Sequence, residues 1–411
     1  MGVANRWWVI LHLLGWMIVA SGGSELDENL VEGWFNDEDT ELLVPELITK
    51  YGYKVEGHTV ITEDGYVLKM FRIPPKRQSM LKRKPVLLVH GVLASSADYV
   101  ISGPNSSLAY LLSDNGYDVW LANVRGSRYS KEHTTLPVES KEYWDFTWHE
   151  IGYYDLPAMI DHVLNVTNSE KLFYIGHSQG TIVYFVMTST RPEYNDKIAL
   201  MTALSPAVGL QHVRSPILRF LLNNVDKIKK IFDALNIHEF MPYSNQRLPL
   251  VRALCQPDVR NNPCVRVLEL VAGPNRAMLD PRLVLTYQGH FPQGASVKQM
   301  LHHAQVVNGG GRFRQFDYGW EGNWERYGSL EPPAYNLTAS TAPVLIYYGL
   351  NDWMVHPRDA QRFSKQLPSV IAAVPVANRK FTHMDFMLAK NVRKELYEKI
   401  LPVLEKYDRV R

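Results

Sequence analysis

The sequence predicts a doubly wound α/β architecture, a mostly parallel sheet with helices on both faces. Three observations carry that prediction. Short continuous apolar runs recur in "KPVLLVHG" (84–91), "YDVWLANVRG" (117–126), "KLFYI" (171–175) and "APVLIYYG" (342–349), as suits strands buried on both sides of a parallel sheet. Stretches of helical period, such as "YDLPAMIDHVLNV" (154–166), lie between them. Finally, "GHSQG" (176–180) joins a β-forming run to the helical "TIVYFVMTST", so Ser178 falls on a strand-to-helix corner.

The 411 residues, 46% of them hydrophobic, suffice for a large core, either as one domain or as a core with an insertion. The net charge of +2, with no long run of like charges, excludes a polyanion-binding surface and hence a nucleic-acid partner. Arg6 precedes the apolar stretch Trp7–Ala20 and then the small residues "ASGGS", the order of a cleavable secretory signal over residues 1–22. The alternative is an N-terminal membrane anchor, but the stretch is shorter than the roughly 20 residues that span a bilayer, and no later uncharged segment reaches that length. No transmembrane anchor is therefore expected. Asn105 ("NSS"), Asn165 ("NVT") and Asn336 ("NLT") open N-glycosylation acceptors. The only two cysteines, Cys255 and Cys264, are close enough to staple one loop, with two buried free thiols as the alternative.

Taken in order, "YKVEGHTVITEDGYVLKMFRIP" (53–74) alternates β-formers around Asp64-Gly65 and reads as a hairpin. The strands "PVLLV" and "DVWLA" follow. In the next helix Asp155 is the expected N-cap and Pro157 sits in the first turn. The strand "KLFYI" then runs into the Gly-x-Ser-x-Gly turn. Small residues around the serine permit a tight, strained bend that lifts its hydroxyl above the sheet, which is the geometry of a nucleophile elbow.

A serine hydroxyl needs a base to take its proton and a carboxylate to orient that base. In such folds the order is serine, acid, histidine. Asp352 follows the strand "APVLIYYG" at a carboxyl end, where ligand chemistry gathers. Asp359 competes, yet it lies where the next helix begins and reads as a surface or capping residue. Downstream, His383 in "RKFTHMDF" stands between the last short strand and the C-terminal helix, whereas His356 lies within the acid loop itself. An oxyanion requires two backbone N–H donors. Gln179, next after the serine, supplies one, and Val92, with Leu93 as the alternate, supplies the other. His90 and His177 read as packing or hydrogen-bonding residues.

The motifs "HGVLASSADYV", "PNSSLAYLLSDNGYDVWLANVRG", "YDLPAMID", "YIGHSQGT", "YGLNDWMVHPRD" and "THMDF", taken together, resemble the acid lipases, the group that contains the gastric and lysosomal enzymes. The resemblance runs from about "YGYKVEGHTVITEDGY" to the end of the chain. It implies an α/β-hydrolase fold with an inserted helical cap or lid, and hydrolysis of neutral lipid esters at a lipid–water interface in the secreted or lysosomal lumen. It also implies a triad of Ser178, Asp352 and His383, oxyanion donors at Gln179 and Val92, and a cap disulfide between Cys255 and Cys264.

The long interval from the elbow to the acid supports an insertion independently, giving core segments 23–208 and 338–411 around a cap at 209–337. Within it, "SPILRFLLNNVDKIKKIFDAL" sets Ile217, Leu218, Leu221, Val225, Ile228, Phe232 and Leu235 at helical spacing. That stripe is either a core face or a lid, with Lys227, Lys229 and Lys230 turned toward water or headgroups. "NGGGR" (308–312) lacks the lysine and spacing of a phosphate loop, and His302-His303 lacks the carboxylate geometry of an H-E-x-x-H zinc site, so neither metal nor cofactor is expected. Nothing in the sequence bears on oligomeric state. A thioesterase or peptidase on the same core, and a catalytically silent lipid carrier, are the rival readings.

Overall fold

The computed structural model describes residues 38–77, 83–256 and 262–409. The secretory-signal expectation lies outside them. The described residues form eleven strands: β1 (Glu56–Ile61), β2 (Tyr66–Ile73), β3 (Val86–Val89), β4 (Val119–Ala122), β5 (Glu132–His133), β6 (Leu172–His177), β7 (Ile198–Leu204), β8 (Glu239–Phe240), β9 (Ala295–Ser296), β10 (Val344–Tyr348) and β11 (Val370–Pro375). Nine of them form one twisted sheet in the order β1-β2-β4-β3-β6-β7-β10-β11, with β5 beside β2. The ladder from β4 to β11 is parallel, and the β1–β2 hairpin and β5 are antiparallel.

Strands β3, β4, β6, β7 and β10 are buried at every residue, which is why they read as unbroken apolar runs. Their alternate side chains feed two cores. Val86, Leu88, Phe173 and Ile175 pack with Leu108, Leu111, Ile400 and Leu404 on one face. Leu87, Val89 and Tyr174 pack with Ile160, Val183, Val186 and Phe363 on the other. Each face is thus covered by helices, as a doubly wound sheet requires.

Two expectations are corrected. Asp155 is not an N-cap: its backbone is helical (φ −65°, ψ −50°). The helical run begins earlier, where the Thr147 hydroxyl accepts from the His149 N–H (3.0 Å) and Glu150 accepts from the Thr147 N–H (2.7 Å). A π-helical turn at Ile151–Asp155 then widens the run just ahead of Pro157, whose ring would crowd a regular α-helical carbonyl. Asp155 is instead fully buried against Arg125, 2.7 Å away. The apolar stripe, read as one run, is two helices, Pro216–Asn223 and Val225–Ala234, separated at Asn224 (φ −115°, ψ 14°). Of that stripe only Phe232 is buried, in a small cluster with Ile237 and Val297.

These helices belong to a mainly helical segment between β7 and β10, which also contains Pro263–Ala272, Pro281–His290, Val297–Asn308 and the short β8–β9 pair. Cys255 and Cys264 are joined by a disulfide within it, their Cα atoms 5.4 Å apart. Asn262 caps the helix that follows, its side-chain oxygen accepting from the Cys264 N–H (2.9 Å). Asn105, Asn165 and Asn336 are all exposed. Among the described residues no helix is long and apolar enough to cross a membrane.

Candidate active site

Strand β6 ends at His177, and the helix Gln179–Thr190 starts two residues later, leaving Ser178 to make the whole turn at φ 52°, ψ −117°. Its N–H donates to the Leu204 carbonyl of β7 (3.0 Å), and its own carbonyl accepts from the Thr181 N–H (2.9 Å), so the bend is held at both ends. The flanking glycines are sterically required. A Cβ on Gly180 would lie 2.3 Å from the Val89 carbonyl, and one on Gly176 would lie 2.6 Å from the Gly180 carbonyl. Leu93 (φ 61°), Ser178 (φ 52°) and Ser205 (φ 49°) share the left-handed region. They sit just beyond β3, β6 and β7, three neighbouring strands, at their carboxyl ends. Backbone strain of this kind gathers where function over-determines the chain.

Asp352 lies in the turn after β10 and His383 in the loop after β11, both nearly inaccessible. The structure brings them together: His383 Nδ1 is 2.9 Å from Asp352 Oδ2. Asp352 Oδ1 accepts from the Met354 and Val355 N–H groups (2.9 and 2.7 Å), which pins the carboxylate. The ring of His177 packs 4.8 Å from that of His383, and its Nε2–H donates to the His383 carbonyl (3.2 Å). His383 is therefore docked against the residue that precedes Ser178. Burial, with the neighbouring His383 adding to it, holds the His177 imidazole well below its usual range, so it is neutral.

Asp359 is a further correction. It stands in the first turn of the helix Pro357–Ser364 but is fully buried rather than superficial. Its Oδ2 accepts from the Gln211 and His212 N–H groups (2.9 and 2.8 Å) and its Oδ1 from His212 Nδ1 (2.7 Å). A buried carboxylate needs several donors, and these tie the stretch after β7 to the helix that follows β10.

The loop after β3 passes directly over the serine, since a Cβ on Gly91 would lie 3.3 Å from Ser178 Cβ. Val92 follows at once, partly buried. Gln179 opens its helix, so its N–H has no intrahelical partner. His90 is a hydrogen-bonding residue, with Nδ1–H donating to Gly91 O (2.8 Å) and Nε2 accepting from Val124 N–H (3.3 Å), and burial pushes it down to about 4.

Two features escaped the sequence reading. The Gln179 side-chain oxygen accepts from Gln299 Nε2 (2.7 Å) and His303 Nε2 (2.8 Å), one helical turn apart on Val297–Asn308. Burial pushes His303 down to about 4, so it engages as a neutral ring. The other is Ser205 at the end of β7, whose hydroxyl donates to Asp352 Oδ2 (2.6 Å). His302, by contrast, is stacked on Trp148 with ring centroids 3.7 Å apart.

Two family models match the chain, a partial α/β-hydrolase lipase region over residues 44–103 and the α/β hydrolase fold over 84–387. Lipase 1 of Drosophila melanogaster is 43% identical over 90% of this chain and 81% of its own length. Human lysosomal acid lipase/cholesteryl ester hydrolase is 34% identical over 90% and 92%, and rat gastric triacylglycerol lipase 32% over 89% and 92%. A soluble variant of the Saccharomyces cerevisiae monoglyceride lipase shares the fold, with a TM-score of 0.50 at 16% identity over 87% of this chain and 98% of that one. A nucleophile-elbow turn on a parallel sheet and kinship along nearly the whole chain agree: this is a carboxylic ester hydrolase, and it belongs to the α/β-hydrolase lipases, in the group that includes the gastric and lysosomal acid lipases.

Proposed function

We propose that the protein hydrolyses esters of neutral lipids, triacylglycerols or sterol esters, through an acyl-enzyme formed on Ser178. The observation that carries this reading is the buried 2.9 Å contact between His383 and Asp352, at the carboxyl ends of the same parallel ladder as the strained serine. With its Nδ1–H held by Asp352, His383 presents Nε2 as the base. It takes the Ser178 proton as the oxygen attacks the acyl carbonyl and then gives that proton to the leaving alcohol, and water repeats the cycle on the acyl-enzyme. The Gln179 and Val92 N–H groups receive the oxyanion.

Residues 209–337 serve as the cap over this site, and the helices Pro216–Asn223 and Val225–Ala234 are its lid. Their apolar side is only partly covered: Phe220 is 57% and Ile231 51% exposed, and Lys227, Lys229 and Lys230 face solvent. Such an amphipathic pair suits a surface that meets lipid when it opens. The disulfide supports the same segment by closing a short loop.

A panel of emulsified triacylglycerol, sterol ester, thioester and peptide substrates tests the reading. Turnover of the lipid esters is expected, together with labelling of Ser178 by a serine-directed phosphonate. Turnover confined to thioesters or peptides, or an unlabelled serine with no turnover, would overturn it.

The proposed location is the secretory route, ending outside the cell or in the lysosomal lumen, with glycans on some of Asn105, Asn165 and Asn336. Intact mass before and after glycosidase treatment should give a mature chain starting between Ser21 and Glu25. A purified protein retaining Met1–Ala20 would contradict it.

A further inference from the structure

Strand β7 ends at Leu204, and the next residue, Ser205, turns the chain out of the sheet in a left-handed conformation (φ 49°) with no accessible surface. Its N–H donates to the Tyr347 carbonyl (2.8 Å), which locks it to β10, the strand that leads into Asp352. Its hydroxyl lies 2.6 Å from Asp352 Oδ2 and 3.0 Å from His383 Nδ1. Those two atoms are themselves 2.9 Å apart, so three polar atoms form a closed triangle.

The protons of this triangle can be counted. The Ser205 hydroxyl has one, and the short contact to a carboxylate oxygen uses it. Toward His383 the same oxygen is then only an acceptor, which requires the His383 proton to be on Nδ1 and leaves Nε2 unprotonated. Asp352 Oδ2 in turn receives two donors, the hydroxyl and the imidazole N–H, while Oδ1 receives the two backbone amides.

We propose that Ser205 is a positioning residue for the reaction: it supports the His383 tautomer that Asp352 selects and draws off part of the Asp352 charge that would otherwise face the imidazole. The proposal rests on the triad of the preceding section. A left-handed serine in place of glycine fits it, because a glycine would ease the backbone but could supply no hydroxyl.

The second effect is electrostatic: without the hydroxyl, Asp352 Oδ2 loses one of its two side-chain donors, and its charge faces the imidazole less shielded. The other titratable groups facing the pair are His177, held neutral by burial, and Asp385. Burial pushes the Asp385 carboxyl up, with the charge of Asp352 adding to it, against hydrogen bonds from Asn275 Nδ2 and the Thr382 N–H (2.7 Å each). Neither group contacts the Ser205 hydroxyl among the described hydrogen bonds, so both are common to wild type and variant.

Ser205→Ala and Ser205→Gly separate the hydroxyl from the backbone. Both remove the oxygen, and only glycine relieves the left-handed strain. With a soluble nitrophenyl ester as probe, both variants should lose roughly 10-fold in kcat/KM, mostly in kcat, as expected for one hydrogen bond to a charged group. KM should change little in both, because the hydroxyl meets the acid and the base and not the substrate. A wild-type rate in the glycine variant would show that only the backbone matters, and a loss confined to KM in both would show that the hydroxyl does not act on the pair. Either result overturns the proposal. If the alanine variant does not fold, the glycine variant alone decides. Phosphonate labelling of Ser178 and the activity of Ser178→Ala are measured in parallel: an active, unlabelled enzyme would mean that the triad reading has failed, and the role of Ser205 with it.

Discussion

Ser178→Ala is expected to lower kcat by about 10⁴-fold or more while leaving the fold intact, because triad members act as a unit and what remains comes from oxyanion binding and substrate positioning. The fold should persist for a local reason. The elbow is held by the Ser178 N–H on Leu204 O and by the Thr181 N–H on Ser178 O, contacts of the backbone that alanine keeps. Alanine also carries the same Cβ into the same left-handed turn, so the strain at φ 52° is unchanged. Steady-state rates on an emulsified ester, alongside a thermal melt, check both halves of the expectation. Near-normal turnover in a folded variant would remove Ser178 from the mechanism.

Asp352→Asn should be nearly as damaging, by roughly 10⁴-fold, through the tautomer of its partner. The side-chain oxygen of asparagine would stay with the Met354 and Val355 N–H groups, which demand an acceptor. Its NH₂ group would then face His383 Nδ1, where the carboxylate oxygen stood. A donor meeting a donor forces the imidazole proton onto Nε2, and the base can no longer accept from the serine. The contrasting variant is Asp359→Asn, whose carboxylate serves Gln211 and His212 in the stretch after β7. That change should lower the melting temperature without a comparable loss of kcat. If the two variants exchange these outcomes, Asp359 is the acid.

What the sequence revealed follows from how local each signal is. The parallel strands are legible because burial on both faces leaves no polar alternation to confuse them. The elbow is legible because its glycines are forced by contacts within the turn and with the adjoining strand. The helix start was misplaced at Asp155 although "TWHE" carries a capping-box signal, since a π-helical turn between Thr147 and Pro157 broke the expected period. Ser205 was illegible for a different reason. Its partner Asp352 is 147 positions away, and nothing around "ALSPAV" announces a left-handed backbone. The grip of Gln299 and His303 on Gln179 spans more than a hundred positions in the same way. Asp359 was misjudged because its donors come from a segment whose path cannot be read from its own helix.

The order of strands in the sheet also sets a timetable for the growing chain. Strands β3, β6 and β7 are adjacent, so the serine turn can be assembled once residues up to Leu204 have been made. Then the whole segment before β10 must emerge before Asp352 and His383 arrive, on strands that dock at the outer edge of β7. Domains condense from their N-terminal end during synthesis, which proceeds at about 5–20 residues per second. On the proposed triad, the nascent chain would hold for the seconds in between a nucleophile with no base. Any fragment clipped before β10 would likewise lack the proposed acid and base, so in this reading chemical competence would double as a sign that translation has reached the end of the fold.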